Sequence, residues 1–386
     1  MSNRWPGKYV IGLTGNIATG KSVVRKMLEH LGAFGLDADA LAHQAIAKGG
    51  PAYASVLKIF GDWLLTETGE IDRARLGKVV FTDPEALAKL EAVIHPLVSQ
   101  ALDFLIKRSQ SKVVVVEAIK LIESGIAKDC DALWVVNAPE AVQVARLVEK
   151  RKMTEAQAKE RLAAQPSQAD KIKAAAVIIQ NTGSFEDIWT QVQAAFSIIT
   201  QPATPVSADA PTVRIKALTA ETKHVKVRRG KPTDATTIAA FIKQTTNGQR
   251  DLTRADIMAA FGQKAYLLAD CDGELAAIAG WQVENLVTRV DEFYAAPTAP
   301  LDQVTPPLME AVENASKELQ SEAALVFIPL PLAQAAAQAL NGSGFVPQTA
   351  GKLGVVAWEE AVKESMPPGT AMLFKKLRED RVLRPV

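Results

Sequence analysis

The chain has 386 residues, long for one domain and enough for two, and 44 basic residues nearly balance 43 acidic ones, so nothing favours nucleic acid or an acidic membrane surface as a partner. Two distant cysteines, Cys130 and Cys271, argue against a disulfide framework or a zinc site, and no apolar run reaches the length of a membrane helix. Because no signal-peptide core precedes the first apolar run, we expect a cytoplasmic enzyme.

The first motif is a strand, a loop and a helix. An apolar run, Tyr9 to Leu13, leads into a loop bounded by Gly15 and Gly20, and Lys21 and Ser22 open an amphipathic helix. This spacing fits G-x-x-x-x-G-K-[ST], in which backbone N–H groups and the helix N-terminus hold nucleotide phosphates. The predicted nucleotide-binding residues are Gly15, Asn16, Ile17, Ala18, Thr19, Gly20, Lys21, Ser22 and Val23.

Alternating strands and helices continue to residue 200. Further strands are predicted at Ala33–Ala38, Lys112–Glu117, Ala132–Val136 and Ala176–Ile179, and a closing helix at Phe185–Ile199. Such alternation predicts an α/β domain over residues 1–200, a parallel sheet of the P-loop NTPase type with helices on both faces.

Two carboxylates follow the second strand directly. Ligands of open parallel sheets lie beyond the carboxyl ends of the strands, so Asp37 and Asp39 are expected near the phosphate loop. We favour Asp39 as the general base that accepts the proton of an attacking hydroxyl. Asp37 is expected to cap a helix over Ala40–Ala47.

Glu117 ends the most apolar strand, where a P-loop enzyme holds magnesium or its waters, and Ser22 is the second predicted magnesium ligand. A polar residue at a strand end is the competing interpretation.

Basic residues follow the fourth strand, and arginines there can cover the charge of a transferring phosphoryl group. Arg146 and Arg151 are the two we assign to phosphate, and Thr154 with Gln157 predicts a capping box that restarts a helix after a lid. For any one of these charges taken alone, a solvated helix face is the favoured interpretation. His95, before Pro96, is expected after an amphipathic helix, with at most a minor role in a substrate pocket.

A second domain is predicted over residues 224–386, after a Pro-, Ala-, Thr- and Ser-containing linker over 201–223, in which the stretch after Pro211 is either linker or an added strand. Its expected strands and helices alternate irregularly, as in an α+β fold, with a hairpin across Asp272-Gly273. A helix is predicted over Pro306–Leu319 with both prolines in its first turn, and another over Ala333–Leu340.

The residues from Tyr9 to about Ala195 resemble the dephospho-coenzyme A kinase family. The motifs that carry the resemblance come in the family's order: Gly15–Ser22, Asp37-Ala38-Asp39, Gly49-Gly50-Pro51, Gly69–Leu76 with Arg73, Phe81 with Pro84, His95-Pro96, Glu123-Ser124-Gly125, Gln143–Arg146, Arg161 with Ala163-Ala164-Gln165, and Asn181-Thr182-Gly183.

The resemblance implies ATP-dependent phosphorylation of the ribose 3′-hydroxyl of dephospho-coenzyme A, with ATP and Mg²⁺ as cofactors. It further implies that Lys21, Asp39 and Arg146 are catalytic, that Arg151 touches phosphate and that Asn181 lies beside adenine. The helices between Ala40 and Arg108 would bind the substrate. The expected substrate-binding residues are Asp37, Asp39, Arg73, His95 and Lys120.

The sequence departs from the family pattern after the third strand. Where the family has Asp-Ile-Pro-Leu-Leu-Phe-Glu, this chain has residues 117–123, Glu-Ala-Ile-Lys-Leu-Ile-Glu. Lys120 is therefore expected either to bind a substrate phosphate or to pair with Glu117 or Glu123. Two other functions stay open, a P-loop kinase for another small hydroxyl substrate and a non-catalytic nucleotide-binding regulatory module.

The second domain resembles the GNAT acetyltransferase superfamily, mainly over Val225–Phe345. The pyrophosphate loop of that superfamily is replaced here by residues 301–307, which contain Asp302, two prolines and no glycine. Because the prolines lack N–H donors, we predict that the domain transfers no acetyl groups and instead packs against the kinase or mediates self-association.

Overall fold

A computed structural model describes residues 4–200, 225–284 and 286–378. The predicted linker, 201–223, lies outside the described residues. Within the described part of the chain, no helix is both long enough and apolar enough to span a bilayer.

The N-terminal sheet is parallel throughout, as the β-branched runs predicted. Its strand order among the described residues is β2-β3-β1-β4-β5, so the loop strand β1 lies in the centre. The strands are β1 (Tyr9–Thr14), β2 (Phe34–Asp37), β3 (Val113–Glu117), β4 (Ala132–Asn137) and β5 (Val177–Gln180).

Helices cover both faces of this sheet, which confirms the predicted α/β class. Side chains of β1 alternate between two cores, with Ile11 packing among residues of the first and last helices and Val10 among residues of the long fifth helix. The helices are α1 (Lys21–His30), α2 (Ala38–Ile46), α3 (Tyr53–Phe60), α4 (Arg73–Thr82), α5 (Pro84–Arg108), α6 (Glu140–Arg151), α7 (Glu155–Ala163), α8 (Gln168–Ala174) and α9 (Phe185–Thr200).

The position of His95 differs from the prediction. His95 and Pro96 lie inside α5, not after a helix, and His95 is exposed. Pro96 removes one helical hydrogen bond. The helix continues because its later turns bury Val98, Leu102 and Leu105 against the sheet.

The C-terminal sheet is mostly antiparallel, with strand order β11-β12-β10-β9-β8-β7-β6 in the described residues. The predicted hairpin across Asp272-Gly273 is confirmed, and both residues have positive φ, 54° and 89°. The only parallel ladder among the described strands of this sheet joins β9 to β10. The strands are β6 (Val225–Arg229), β7 (Ala265–Cys271), β8 (Glu274–Glu284), β9 (Val287–Ala295), β10 (Ala323–Pro329), β11 (Val346–Pro347) and β12 (Thr370–Lys376).

The helices of this half form an α+β arrangement, as predicted. They are α10 (Ala235–Thr245), α11 (Arg254–Ala260), α12 (Leu301–Glu318), α13 (Leu330–Ala335), α14 (Ala337–Gly342) and α15 (Val356–Ser365). The predicted helix over Ala333–Leu340 is two short helices, and α15 and β12 were not predicted.

The predicted start of α12 is wrong. The helix begins at Leu301, so Pro306 and Pro307 lie inside it and not in its first turn. The two prolines leave the carbonyls of Asp302 and Gln303 without their helical donors. Burial of Val304, one turn before the buried Leu308, extends the apolar face and favours the helix at that point.

The two halves contact each other along α1. The His30 ring meets Phe261 edge to face at 5.2 Å, and His30 Nε2 donates to the Phe261 carbonyl at 2.9 Å. A cavity of about 210 Å³ lies between α1 and the C-terminal half and is bordered by Ser22, Asp37 and Leu286 among others. The C-terminal half therefore borders the predicted nucleotide site.

Candidate active site

The phosphate loop has the backbone that its glycines predict. Gly15 and Gly20 have φ of 146° and 94°, and a Cβ on Gly20 would lie 2.0 Å from Asn181 Nδ2. Glycine is required at this position both by its dihedral angle and by the approach of Asn181. Ala18 also has positive φ, 60°, a strained conformation of the kind found at functional sites.

Lys21 is buried and points back across the loop, where its Nζ donates to the Asn16 carbonyl at 3.3 Å. Burial lowers the pKa of Lys21, and the negative charges of Glu117, Asp39 and Asp37 oppose that change. The structure thus brings the predicted loop lysine together with the three predicted carboxylates.

Glu117 links the third strand to α1. Ser22 Oγ donates to Glu117 Oε1 at 2.8 Å, and Arg25 Nε donates to Glu117 Oε2 at 2.7 Å. Arg25 in turn pairs with Glu29 at 2.6 Å. Since Glu117 is buried, Arg25 compensates a charge that would otherwise be costly there.

Hard oxygen ligands suit Mg²⁺, which normally keeps several waters and takes one or two protein oxygens besides phosphate. The adjacent Ser22 hydroxyl and Glu117 carboxylate fit that preference. No group of three or more His, Cys, Asp or Glu side chains in the described residues is arranged to hold a metal by itself. Phosphate oxygens would have to complete such a site.

Asp37 and Asp39 occupy distinct positions. Asp37 caps α2, accepting from Ala40 N–H at 2.9 Å as predicted, although the helix starts two residues earlier than expected. Asp39 Oδ2 accepts from Ile119 N–H at 3.1 Å. Burial raises the pKa of both carboxyl groups, and the positive charge of Lys21 opposes the change at Asp39.

Arg146 contacts the phosphate loop at Ala18 and Thr19. Its guanidinium donates to the carbonyls of Ala18 at 3.0 Å and Thr19 at 3.4 Å and to Asn181 Oδ1 at 2.8 Å. Asn181 Nδ2 donates to Thr19 O at 2.7 Å. Arg146 and Asn181 are therefore next to the loop. Arg151, the last residue of α6, is exposed.

The predicted substrate residues are more dispersed. Lys120 Nζ donates to Glu91 on α5 at 3.2 Å, and not to either partner considered from the sequence. Arg73, which begins α4, is exposed, as is His95. Their roles in binding substrate stay predictions.

Three side chains that contact the phosphate loop were not predicted from the sequence. The amide oxygens of Gln165 and Gln168 accept from the N–H groups of Ile17 at 2.7 Å and Asn16 at 3.0 Å. Lys171 Nζ donates to Asn16 Oδ1 at 3.1 Å. Gln165, Gln168 and Lys171 are spaced three residues apart, which could have indicated that they share one face. The same spacing, however, occurs on any helix face.

A phosphate loop, a lysine and carboxylates at the carboxyl edge of a parallel sheet define a P-loop phosphotransferase. A model of the dephospho-CoA kinase family matches residues 9–187. The dephospho-CoA kinase of Geobacter metallireducens is 42% identical over 188 residues, covering 48% of this chain and 94% of that protein. The chain belongs to the dephospho-CoA kinase family.

Two solved structures are also similar to parts of the chain. A Thermus thermophilus protein is 32% identical, with a TM-score of 0.46, over 50% of this chain and 99% of that one. A GNAT-family acetyltransferase from Staphylococcus aureus Mu50 is 13% identical, with a TM-score of 0.32, over 40% of this chain and 100% of that one.

Proposed function

We propose that the N-terminal half transfers the γ-phosphoryl group of ATP to the ribose 3′-hydroxyl of dephospho-CoA and releases CoA and ADP. The observation that carries the proposal is the convergence of Lys21, Ser22 and Asp39 at one edge of the sheet, in a chain of this family. The family gives the acceptor its identity, and the geometry supplies the groups for the transfer.

In this proposal Asp39 accepts the proton of the 3′-hydroxyl. The hydroxyl oxygen forms a bond to the γ-phosphorus, while the bond between that phosphorus and the bridging oxygen of ADP breaks. Burial brings the pKa of Asp39 above its ordinary value, which makes it a better proton acceptor while Lys21 favours its charged form. Lys21 stabilises the charge on the transferring group, and Arg146 and Asn181 keep the loop in shape.

Ser22 and Glu117 would hold Mg²⁺ or its waters, and the ion would neutralise charge on the β- and γ-phosphates. Both Glu117 oxygens already accept hydrogen bonds, from Ser22 and Arg25. We therefore assign direct ligation to Ser22 and contact through water to Glu117.

The test is ADP release by the full chain with a panel of acceptors: dephospho-CoA, nucleoside monophosphates and small sugars. We expect turnover with dephospho-CoA, and mass spectrometry should find the product 80 Da heavier, the mass of one added phosphoryl group. Turnover only with another acceptor would favour the second kinase hypothesis. ATP binding without any turnover would favour a regulatory module.

For the C-terminal half we propose a GNAT-like domain that transfers no acetyl groups. The parallel β9–β10 pair leads into α12, but Pro300 precedes the first turn and Asp302 lies within it. Pro300 and Asp302 disfavour a bound pyrophosphate at this helix end, whereas Pro306 and Pro307 lie beyond the first turn.

Packing of this domain against the kinase, or self-association through it, is its proposed role, and the contact of Phe261 with His30 supports the first. Incubating the full chain with acetyl-CoA and a panel of amines should give no acetylated product. Acetylation of any amine would contradict this proposal.

A further inference from the structure

A lysine outside every predicted constellation is almost completely buried. Lys171 lies on α8 with 1% of its surface exposed, whereas Lys173 on the same short helix is exposed. Burying an ammonium group is costly unless it is compensated by hydrogen bonds or charge. The position of Lys171 therefore calls for an account of what its Nζ contacts.

The Nζ of Lys171 holds the peptide that follows the third strand. It donates to the Ile119 carbonyl at 2.7 Å, and Thr14 Oγ1 donates to the same carbonyl at 3.1 Å. The N–H of Ile119 donates to Asp39 Oδ2 at 3.1 Å. Lys171 and Asp39 are thus joined through one residue, with Lys171 on its carbonyl and Asp39 on its N–H.

The same lysine also holds the phosphate loop. Its Nζ donates to Asn16 Oδ1 at 3.1 Å, while the Asn16 carbonyl accepts from Lys21 at 3.3 Å. Gln168 and Gln165, three and six residues earlier, accept from loop N–H groups. The segment 165–171 therefore holds the first half of the loop through three side chains that are spaced three residues apart.

We infer that Lys171 is a positioning residue for phosphoryl transfer, which sets the orientation of the base Asp39 through Ile119 and of the loop through Asn16. The inference rests on the proposed function. It gives α8 a defined task, because α8 follows the lid region and carries the only group in the described residues that contacts both Ile119 O and the Asn16 side chain.

The charges around this pair agree with the geometry. Burial lowers the pKa of Lys171, and Lys21 acts in the same direction, while Glu123 and Asp39 oppose the change. At Asp39 the positive charges of Lys21 and Lys171 counter the effects of burial and of Glu117. A cationic Lys171 thus favours the carboxylate form that accepts the substrate proton.

The test compares Lys171→Met with Lys173→Met, each in the native chain and in an Asp39→Asn background. Lys171→Met should lower kcat on the order of 10²-fold, as expected when a reacting group is displaced by about 1 Å. Lys173→Met should match the native chain. In the Asp39→Asn background, Lys171→Met should lower kcat clearly less than in the native chain, because only its effect on the loop through Asn16 is left to lose.

Equal losses of kcat in both backgrounds would overturn the inference, since Lys171 would then act independently of Asp39. Equal rates for Lys171→Met and Lys173→Met, or a change confined to the KM for ATP, would overturn it too. If Lys171→Met does not fold, Lys171→Gln, which keeps a hydrogen-bond donor, enters the same cycle.

The kinetic assays use the acceptor that the native chain phosphorylates. Failure of the proposed function can then be told apart from failure of the role of Lys171. A native chain without turnover on any acceptor would overturn both. Native turnover on dephospho-CoA with an unaffected Lys171→Met variant would overturn only the role of Lys171.

Discussion

Each half of the chain has a strand that leads through a turn into a helix, but the two turns differ. After β1, Gly15 and Gly20 take positive φ and no proline removes an N–H donor from the loop, in which the N–H groups of Asn16 and Ile17 donate to the side chains of Gln168 and Gln165. After β9, Pro300 contributes no N–H and Asp302 brings a negative charge to the first turn of α12. The two turns therefore differ at the start of the following helix, because the first contains neither proline nor an acidic residue and the second contains both.

The largest effect is expected in the phosphate loop after β1. Lys21→Ala should lower kcat by about 10²–10³-fold, because a buried cation that stabilises the transferring charge is lost. The control is Lys128→Ala at an exposed site, which should turn over normally. Near-normal turnover by Lys21→Ala in the coupled assay would mean that the loop is not a phosphoryl-transfer site.

The next effect separates the two carboxylates beside the loop. Asp39→Asn should lower kcat much more than it weakens ATP binding, because the amide cannot accept the substrate proton. Asp37→Asn should cost less, since asparagine can still cap α2 by accepting from Ala40. A larger loss for Asp37→Asn, measured by steady-state kinetics, would exchange their roles.

The pH dependence follows from the same assignment. Burial raises the pKa of Asp39, and the carboxylate must be unprotonated to act as the base. The rate kcat/KM should therefore fall as the pH drops through that raised pKa and be lost at lower pH. In Asp39→Asn this acid limb should disappear from the pH profile, and its persistence would point to another titrating group.

A change in stability, with no predicted change in rate, tests whether the two halves are independent. Phe261 is buried in the C-terminal half and its ring meets His30 of α1, so Phe261→Ala should lower the free energy of unfolding by about 3–5 kcal/mol. Calorimetry should show both halves destabilised, because the contact is shared. Ile198→Ala, at a side chain 80% exposed, is the control and should change little.

If only one of two thermal transitions moves in Phe261→Ala, the halves unfold separately and the contact with His30 contributes little. The two halves of the chain would then be independent domains and not two parts of one folding unit.

The smallest effect concerns Lys120. Its Nζ pairs with Glu91, but a substrate phosphate would attract it more strongly than a half-exposed carboxylate does. We expect Lys120→Leu to raise the KM for dephospho-CoA about tenfold and to leave ATP binding unchanged, a loss typical of one charged hydrogen bond. An unchanged KM would mean that Lys120 only pairs with Glu91.

The sequence by itself determined the features that depend on local chemistry. The glycine spacing of the loop, the cap at Asp37, the capping box of Thr154 with Gln157 and the hairpin at Asp272-Gly273 each involve atoms a few residues apart. For such features the side chain and its partner are read from the same short stretch. The β-branched runs likewise predicted the buried parallel strands.

Only the tertiary structure decided the contacts made across long separations. The bond of Lys171 to Ile119 spans 52 residues, and Arg25 reaches Glu117 across 92. The start of α12 depended in the same way on burial of Val304 in the core, which favours continuing the helix despite two prolines. A sequence pattern cannot show these choices, because burial and long-range hydrogen bonding depend on which distant elements the fold brings together.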